Sequence, residues 1–301
     1  MRQLFYKIIY NSKINCILRN INKALFPIVP GGIQIPPSGI LKIGKGKESL
    51  KIACNQTSYV THLLFWNGYM NYEYTPIFLS LVKKIQSFYD VGANLGYYSL
   101  LAKSVNPDME VVCFEPAAGP LFYLRENIRL NNFSRMKAEP VALSHMTGEI
   151  EFHEVRNKKY TYLEHNLAGE SNAGSKTTGL NFVVTKVPTL TLDEYVRKNQ
   201  VTRIDLMKLD TEGTEHLILQ HATHVLGTLR PVIICETLYN RIEKDLEEIM
   251  RRYGYEFYNE TGDGLVKVST IIRTTDDGVR NCFFVHPDKV ELIREYVKQT
   301  P

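Results

Sequence analysis

The first 47 of the 301 residues contain no aspartate or glutamate, yet hold eight cations: Arg2, Lys7, Lys13, Arg19, Lys23, Lys42, Lys45 and Lys47. The whole chain has 36 basic and 32 acidic side chains, so the remainder carries 28 against 32, a mildly acidic body behind a basic lead-in. That body lacks clusters of aromatic and basic residues, which argues against a nucleic-acid partner. Cysteine is scarce: Cys16, Cys54, Cys113, Cys235 and Cys282 are odd in number, widely spaced and form no Cys-x-x-Cys pair. A zinc site and a disulfide framework are both disfavoured, and a cytoplasmic location is expected. No run approaches the roughly 18 apolar residues of a membrane span. Asn11, Ser12 and Lys13 interrupt the core that a signal peptide needs. Repeats and low-complexity segments are lacking as well. The length accommodates one α/β domain, residues 76–301, behind an N-terminal extension, residues 1–75.

In the extension, Leu4, Phe5, Ile8 and Ile9, then Ile14, Ile17, Leu18, Ile21 and Leu25 recur at helical spacing with basic residues between them. This predicts helix over residues 4–26, ended by Pro27, Pro30, Gly31, Gly32, Pro36 and Pro37. A helix packed on the domain, a cap over an acceptor pocket, a homodimer contact and a peripheral contact with the inner membrane surface all suit such a segment.

From residue 86 strands and helices alternate. Strands are predicted at Ser87–Val91, Glu110–Glu115, Lys137–Leu143, Glu149–Val155, Ile204–Leu209, Pro231–Cys235, Tyr255–Asn259 and Asn281–His286. Helices are predicted at Tyr97–Ser104, around Leu121–Ile128, and at Thr191–Lys198, Glu212–Leu226, Arg241–Tyr253 and the C-terminus. Such alternation predicts an α/β fold, a mostly parallel sheet with helices on both faces. Residues 156–179, with Gly169, Asn172, Gly174 and Gly179, read as a long polar loop suited to closing over a ligand.

The strand ending at Val91 leads into Asp90-x-Gly92-x-Asn94-x-Gly96 and then a helix. Glycines there allow a tight turn and a close backbone approach to a ligand. Glu115 ends the next strand about 20 residues on, where a carboxylate accepts hydrogen bonds from both ribose hydroxyls of an adenosine ligand. A dinucleotide turn is spaced Gly-x-Gly-x-x-Gly so that a pyrophosphate rests on the helix N-terminus. The spacing here differs, and Asp90 would repel a diphosphate but favour the ammonium end of S-adenosylmethionine. The methyl donor is therefore the preferred cofactor, with a nicotinamide oxidoreductase as the rival enzyme.

The stretch Phe88-Tyr-Asp-Val-Gly-Ala-Asn-Leu-Gly-Tyr-Tyr-Ser-Leu100 resembles motif I of the FkbM family of class I methyltransferases. Phe114-Glu115-Pro116, Val141-Ala142-Leu143-Ser144, Leu190-Thr191-Leu192-Asp193, Ile204-Asp-Leu-Met-Lys-Leu-Asp-Thr-Glu-Gly213 and Arg230-Pro231-Val-Ile-Ile-Cys-Glu236 follow in the order of that family. The resemblance covers about residues 86–237. It implies a Rossmann-like, seven-stranded sheet with an antiparallel last strand, and O-methylation, often of a sugar or natural-product hydroxyl. The donor site would comprise Asp90, Gly92, Asn94, Gly96, Glu115, Pro116 and Ala142. His145 stands where the family usually has an acid.

Asp210 closes its strand on the cofactor edge, where an acceptor has to be presented. Methyl transfer to oxygen needs a hydroxyl held in line and relieved of its proton. Asp210 and Glu212 are the candidate proton acceptors, with His145 as a third candidate for general base. Glu212 and Glu215 equally suit a helix start. Glu236 is another acid on the same edge, and three carboxylates there also suit Mg²⁺, although the spacing does not demand a metal. The reading is an S-adenosylmethionine-dependent O-methyltransferase acting on a saccharide, glycolipid or polysaccharide hydroxyl. A non-catalytic module that binds adenosylmethionine and tethers partners is the alternative of a different class.

Overall fold

Asn11 divides the amphipathic N-terminal segment. Its side chain accepts hydrogen bonds from the N–H groups of Lys13 and Ile14, so the predicted single helix is two, α1 (Arg2–Ile9) and α2 (Ser12–Leu25). The computed structural model describes residues 2–28, 32–44, 46, 49–155, 159–167 and 182–298. Pro30, Gly31, Lys45, Lys47, Gly169, Asn172, Gly174 and Gly179 lie outside the described residues. After α2 come an antiparallel hairpin, β1 (Gly39–Ile43) and β2 (Leu50–Cys54), and two helices, α3 (Tyr59–Asn67) and α4 (Thr75–Lys83). Ser58 caps α3 by accepting from the Thr61 N–H.

The αβ alternation then produces β3 (Ser87–Val91), α5 (Tyr97–Val105), β4 (Glu110–Phe114), α6 (Ala118–Leu130) and β5 (Met136–Glu139). Next are β6 (Ala142–Leu143), β7 (Gly148–Val155), β8 (Phe182–Leu190), α7 (Leu192–Lys198), β9 (Leu206–Leu209) and α8 (Glu215–Gln220). The chain continues through β10 (Val232–Glu236), α9 (Glu243–Arg252), β11 (Glu256–Glu260), β12 (Leu265–Val268) and β13 (Asn281–Val285). The central sheet runs β12-β11-β13-β10-β9-β3-β4-β5. All seven strands expected of it are present. The last of them, β13, lies antiparallel between β10 and β11, and β12 adds an eighth strand by pairing back on β11.

Alternate residues of the central strands point to opposite faces, and both faces are covered. Phe88, Val111, Leu206 and Phe283 join α4, α5, α6 and the β1–β2 hairpin in one apolar cluster. Tyr89, Val112, Met207 and Ile233 join α7, α8 and α9 in the other. The fold is Rossmann-like α/β.

Four further elements differ from the sequence pattern. The strand expected over Lys137–Leu143 breaks at Pro140, so β5 enters the central sheet while β6 pairs with β8 in a separate sheet ordered β6-β8-β7. Strand β8 contains Pro188, which ordinarily argues against a strand, but β6 pairs only with Thr189 and Leu190, so at Pro188 only β7 flanks it. The helix expected from Glu212 begins at Glu215, because Glu212 and Gly213 take φ of +61° and +105°, and it stops at Gln220 before a π-helical turn, Val225–Leu229. The C-terminus forms 3₁₀ turns, Pro287–Leu292 and Arg294–Tyr296, instead of a helix.

Helix α6 locks the hairpin to the glycine-rich turn. Asn127 accepts from the Ala53 N–H and donates to the carbonyls of Ala53 and Leu95, while Asn131 bonds both main-chain groups of Lys51. Four helical residues and two strand residues both advance about 6 Å, so the two asparagines match alternate residues of the exposed β2 edge. Replacing the fully buried Asn127 by alanine should cost about 1–3 kcal/mol by orphaning its partners. Urea unfolding checks this: a lower midpoint at unchanged slope for Asn127→Ala, and a smaller shift for the half-buried Asn131→Ala. The reverse ranking would contradict this assignment.

Candidate active site

Strand order reverses between β3 and β9: β4 and β5 extend one way from β3, and β10 extends the other way from β9. Loops leaving the carboxyl ends diverge at such a point and open a crevice. Here the crevice is a cavity of about 1380 Å³. Its floor is the glycine-rich turn after β3, Glu115 and Pro116 after β4, Val141 and Ala142 before and in β6, and Asp210 to Glu212 after β9. Its walls are Tyr59, Val60 and Leu63 of α3, Ile150 and Phe152 of β7, and Tyr160 to Leu167 except Tyr162.

The turn itself is tightly determined. Gly92 has φ +74°, and a Cβ there would sit 1.9 Å from the Asp210 carbonyl oxygen. Glycine at 92 is thus required by the approach of the β9 loop as well as by any ligand. Gly96, at φ +91°, would place a Cβ 2.5 Å from Leu124. Asn94, at φ +52°, donates its N–H to Glu115 Oε2 at 2.8 Å, and Oε1 accepts from the Ala117 N–H at 2.9 Å. Burial pushes the Glu115 carboxyl up to about 7 against the pull of those two N–H groups. Additional donors, such as two ribose hydroxyls, would favour its ionised form.

Behind the turn lies a charge cluster. Asp90 and Lys208 are register partners on the parallel strands β3 and β9, with Nζ 3.8 Å from Oδ1, and Lys208 donates to Asp210 Oδ2 at 2.9 Å. Burial disfavours the Lys208 charge, but Asp210 and Asp90 outweigh it and hold the ammonium firmly protonated. Burial raises Asp90, opposed by Lys208 and by Ser99, which donates to Oδ2 at 2.6 Å. Asp90 Oδ1 is buried and has no hydrogen-bond partner, an acceptor suited to a ligand ammonium. Glu73 takes a hydrogen bond from the Tyr98 hydroxyl at 2.9 Å; burial and then Asp210 raise it, and Lys208 opposes both.

Lys208, Glu73 and Tyr98 escaped the sequence reading. The signal for Lys208 was a lone cation inside an otherwise apolar four-residue strand. Glu215, by contrast, is a brace, because its buried carboxylate accepts from the N–H groups of Thr211 and Gly213 and from the Thr211 hydroxyl. Glu236 Oε2 is buried without a hydrogen-bond partner, and its carboxyl is raised by burial and then by Asp210 and Glu212. Asp90 and Asp210 therefore meet through Lys208, and Asn94 meets Glu115. His145 lines the same cavity at an exposed position, contacting Ser144 and the ring of His221 rather than the acids. Among the described residues, no three Asp, Glu, His or Cys side chains come together in a way that would hold a metal ion.

Residues 90–257 match the methyltransferase FkbM domain. Over 195 residues the chain is 26% identical to methyltransferase sdnD of Sordaria araneosa, covering 58% of this chain and 75% of that protein. Among solved structures it is similar to precorrin-6y C5,15-methyltransferase from Geobacter metallireducens, with TM-score 0.36, 12% identity and coverage of 70% of this chain and 86% of that one. TYW2 of M. jannaschii in complex with AdoMet gives TM-score 0.38 at 12% identity, covering 83% and 87%.

With Glu115 as the ribose acceptor, donor binding would depend on pH. Ribose hydroxyls are accepted by the ionised form, so binding is fully developed above about pH 7 and weakens as pH falls through it, by about tenfold per unit. Calorimetric titration with S-adenosylhomocysteine across roughly pH 5–8, the ordinary stability window, should show this slope. Glu115→Gln should bind weakly and without the slope.

Proposed function

The chain belongs to the FkbM methyltransferase family, whose methyl donor is S-adenosylmethionine, and from that premise we propose that it methylates a hydroxyl of a saccharide, glycolipid or polysaccharide. The observation that carries this reading is the placement of Asp210. It shares a cavity with the donor turn, and one of its carboxylate oxygens is held by Lys208.

Asp90, Gly92, Asn94, Gly96, Glu115, Pro116 and Ala142 would hold the donor. When bound, the donor supplies an electrophilic methyl group on a positively charged sulfur. An acceptor hydroxyl set against that carbon would give up its proton to a carboxylate of this chain as the methyl group moves from sulfur to oxygen. Lys208 fixes Asp210 Oδ2, which leaves Oδ1 to orient the hydroxyl and take its proton. Glu212 and Glu236 line the same cavity and are the nearby carboxylates that can relay the proton outward. His145, beside Ser144 at the rim, is the candidate base of another kind.

The cavity, of about 1380 Å³ against roughly 300–1,000 Å³ for ordinary small-molecule pockets, would have to hold donor and acceptor together. Tyr59, Tyr72 and Tyr160 offer aromatic surfaces, while Asn67, Asn71, Glu164 and Asn166 offer polar groups, a mixture suited to the apolar faces and hydroxyl edges of a sugar.

Asp210→Asn should keep the geometry and lose the base. Turnover, read as a methylated product by mass spectrometry, should fall about 10²–10⁴-fold while the affinity for S-adenosylhomocysteine changes little. Full turnover by this variant on an identified acceptor would remove Asp210 from the chemistry.

A further inference from the structure

Helix α2 is seated the wrong way round for an ordinary surface helix. Asn15 and Arg19, on its polar side, are buried at 0% and 3% exposure. Asn15 donates to the Pro36 carbonyl and accepts from the Ser38 N–H, and Arg19 donates to the carbonyls of Ser38 and Ile40. Asn22 accepts from the Ile35 N–H on the same side. The apolar side is left outward: Ile17 is 62% exposed, Ile21 52% and Leu25 50%. Helix α1 does likewise. Its Tyr6, with the following Tyr10, packs edge-on against Tyr160, and Leu4 and Phe5 stand about 60% exposed.

We propose that the outward faces of α1 and α2 form a docking surface for an anionic lipid bilayer, on which the protein lies with both helices in the plane of the interface. An exposed apolar stripe of this extent is what interfacial helices bury to a depth of several ångströms among acyl chains. The charge on its margin selects the occupant. At about 100° per residue Lys13 falls beside Ile17, whereas Arg2, Lys7 and Lys23 turn to Tyr6, Tyr162 and the Phe65 carbonyl. No acid occurs before Glu48. A second copy of this surface would bring no acidic residue from either helix to answer Lys13. An anionic headgroup answers it directly, at a gain near 1 kcal/mol by the ordinary scale for such contacts. Neither helix is long and apolar enough to cross a membrane, so the contact is peripheral.

The surface sits behind two walls of the cavity. Tyr160 lines the cavity and receives α1, while Phe26, just past α2, packs on Trp66 of α3, the helix that supplies Tyr59 and Leu63. Docking would therefore present those walls close to the bilayer. The docking inference itself does not depend on the acceptor reading.

Co-sedimentation of the full chain with vesicles tests it. Vesicles of phosphatidylcholine containing roughly a third phosphatidylglycerol should pull the protein down, with much weaker binding to phosphatidylcholine alone and loss on raising salt. Ile17→Asp/Ile21→Asp should lower vesicle binding by at least about tenfold, and Lys13→Glu by about tenfold on anionic vesicles only. Both variants should keep the wild-type affinity for S-adenosylhomocysteine, which confirms the fold and separates this test from the methyltransferase reading. Absence of sedimentation with anionic vesicles would overturn the proposal. So would a lipid-free dimer in sedimentation velocity that Ile17→Asp/Ile21→Asp dissociates, which would assign the face to a second copy.

Discussion

The position of Lys208 between Asp90 and Asp210 is the constraint on which the rest of the site depends. Parallel pairing of β3 with β9 makes Asp90 and Lys208 direct neighbours, so a one-residue slip in register would turn the lysine to the opposite face. A buried ion costs several kcal/mol to desolvate and is tolerated only with partners in good geometry. Two carboxylates share this one cation, each from a different strand end. The pairing couples the register of the sheet centre to the charge state of the cavity. It also brings the Asp210 carbonyl over Gly92, where only a residue without a Cβ fits. One contact thus explains a glycine, an aspartate and a lysine that are far apart in the chain.

What the sequence reveals follows from how local each signal is. The turn from Asp90 to Gly96 was legible because strand, glycines and helix are contiguous, and Glu115 lies at the end of the next strand. Apolar runs in β3, β4, β9, β10 and β13 were legible because both faces are buried. Lys208 was not, since its role appears only when β9 is laid beside β3. Strand β8 was hidden by Pro188, and the late start of α8 by Glu212, a residue that seldom adopts positive φ. The 55–57 turn was equally silent, although it organises a cavity wall. Asn55 donates to the His165 carbonyl, and Thr57 accepts from the Leu167 N–H, contacts made across more than a hundred residues.

The N-terminal helices show why periodicity alone misleads about orientation. The spacing of Ile14, Ile17, Ile21 and Leu25 identifies a helix with an apolar side, and the default inference turns that side inward. Here the main chain of residues 35–40 offers carbonyls and N–H groups that need partners, and the polar side of α2 supplies them. Leaving those backbone groups unpaired under a helix would cost about 1–3 kcal/mol each. Exposing three or four aliphatic side chains to water costs a comparable sum. The two orientations are therefore close in energy for the isolated chain, and the hydrogen-bonding demand of residues 35–40 accompanies the one observed.

This division of labour also locates specificity. The sheet and its turns carry the proposed donor site, whose residues are fixed by strand register and by the close approach of Gly92 to the Asp210 carbonyl. The cavity walls come from α3, β7 and residues 160–167, none of which belongs to the central sheet. They are held by side-chain bonds from Asn55, Gln56 and Thr57 and by aromatic contacts from α1 and the end of α2. Wall residues that face the cavity, such as Tyr59 and Leu63, can be substituted without touching Leu64, Phe65 and Leu167, which anchor the same segments in the core. The separation is one of position and not of packing, because Leu64 and Phe65 of α3 and Leu167 lie in one apolar cluster with Ala93 and Leu95 of the glycine-rich turn.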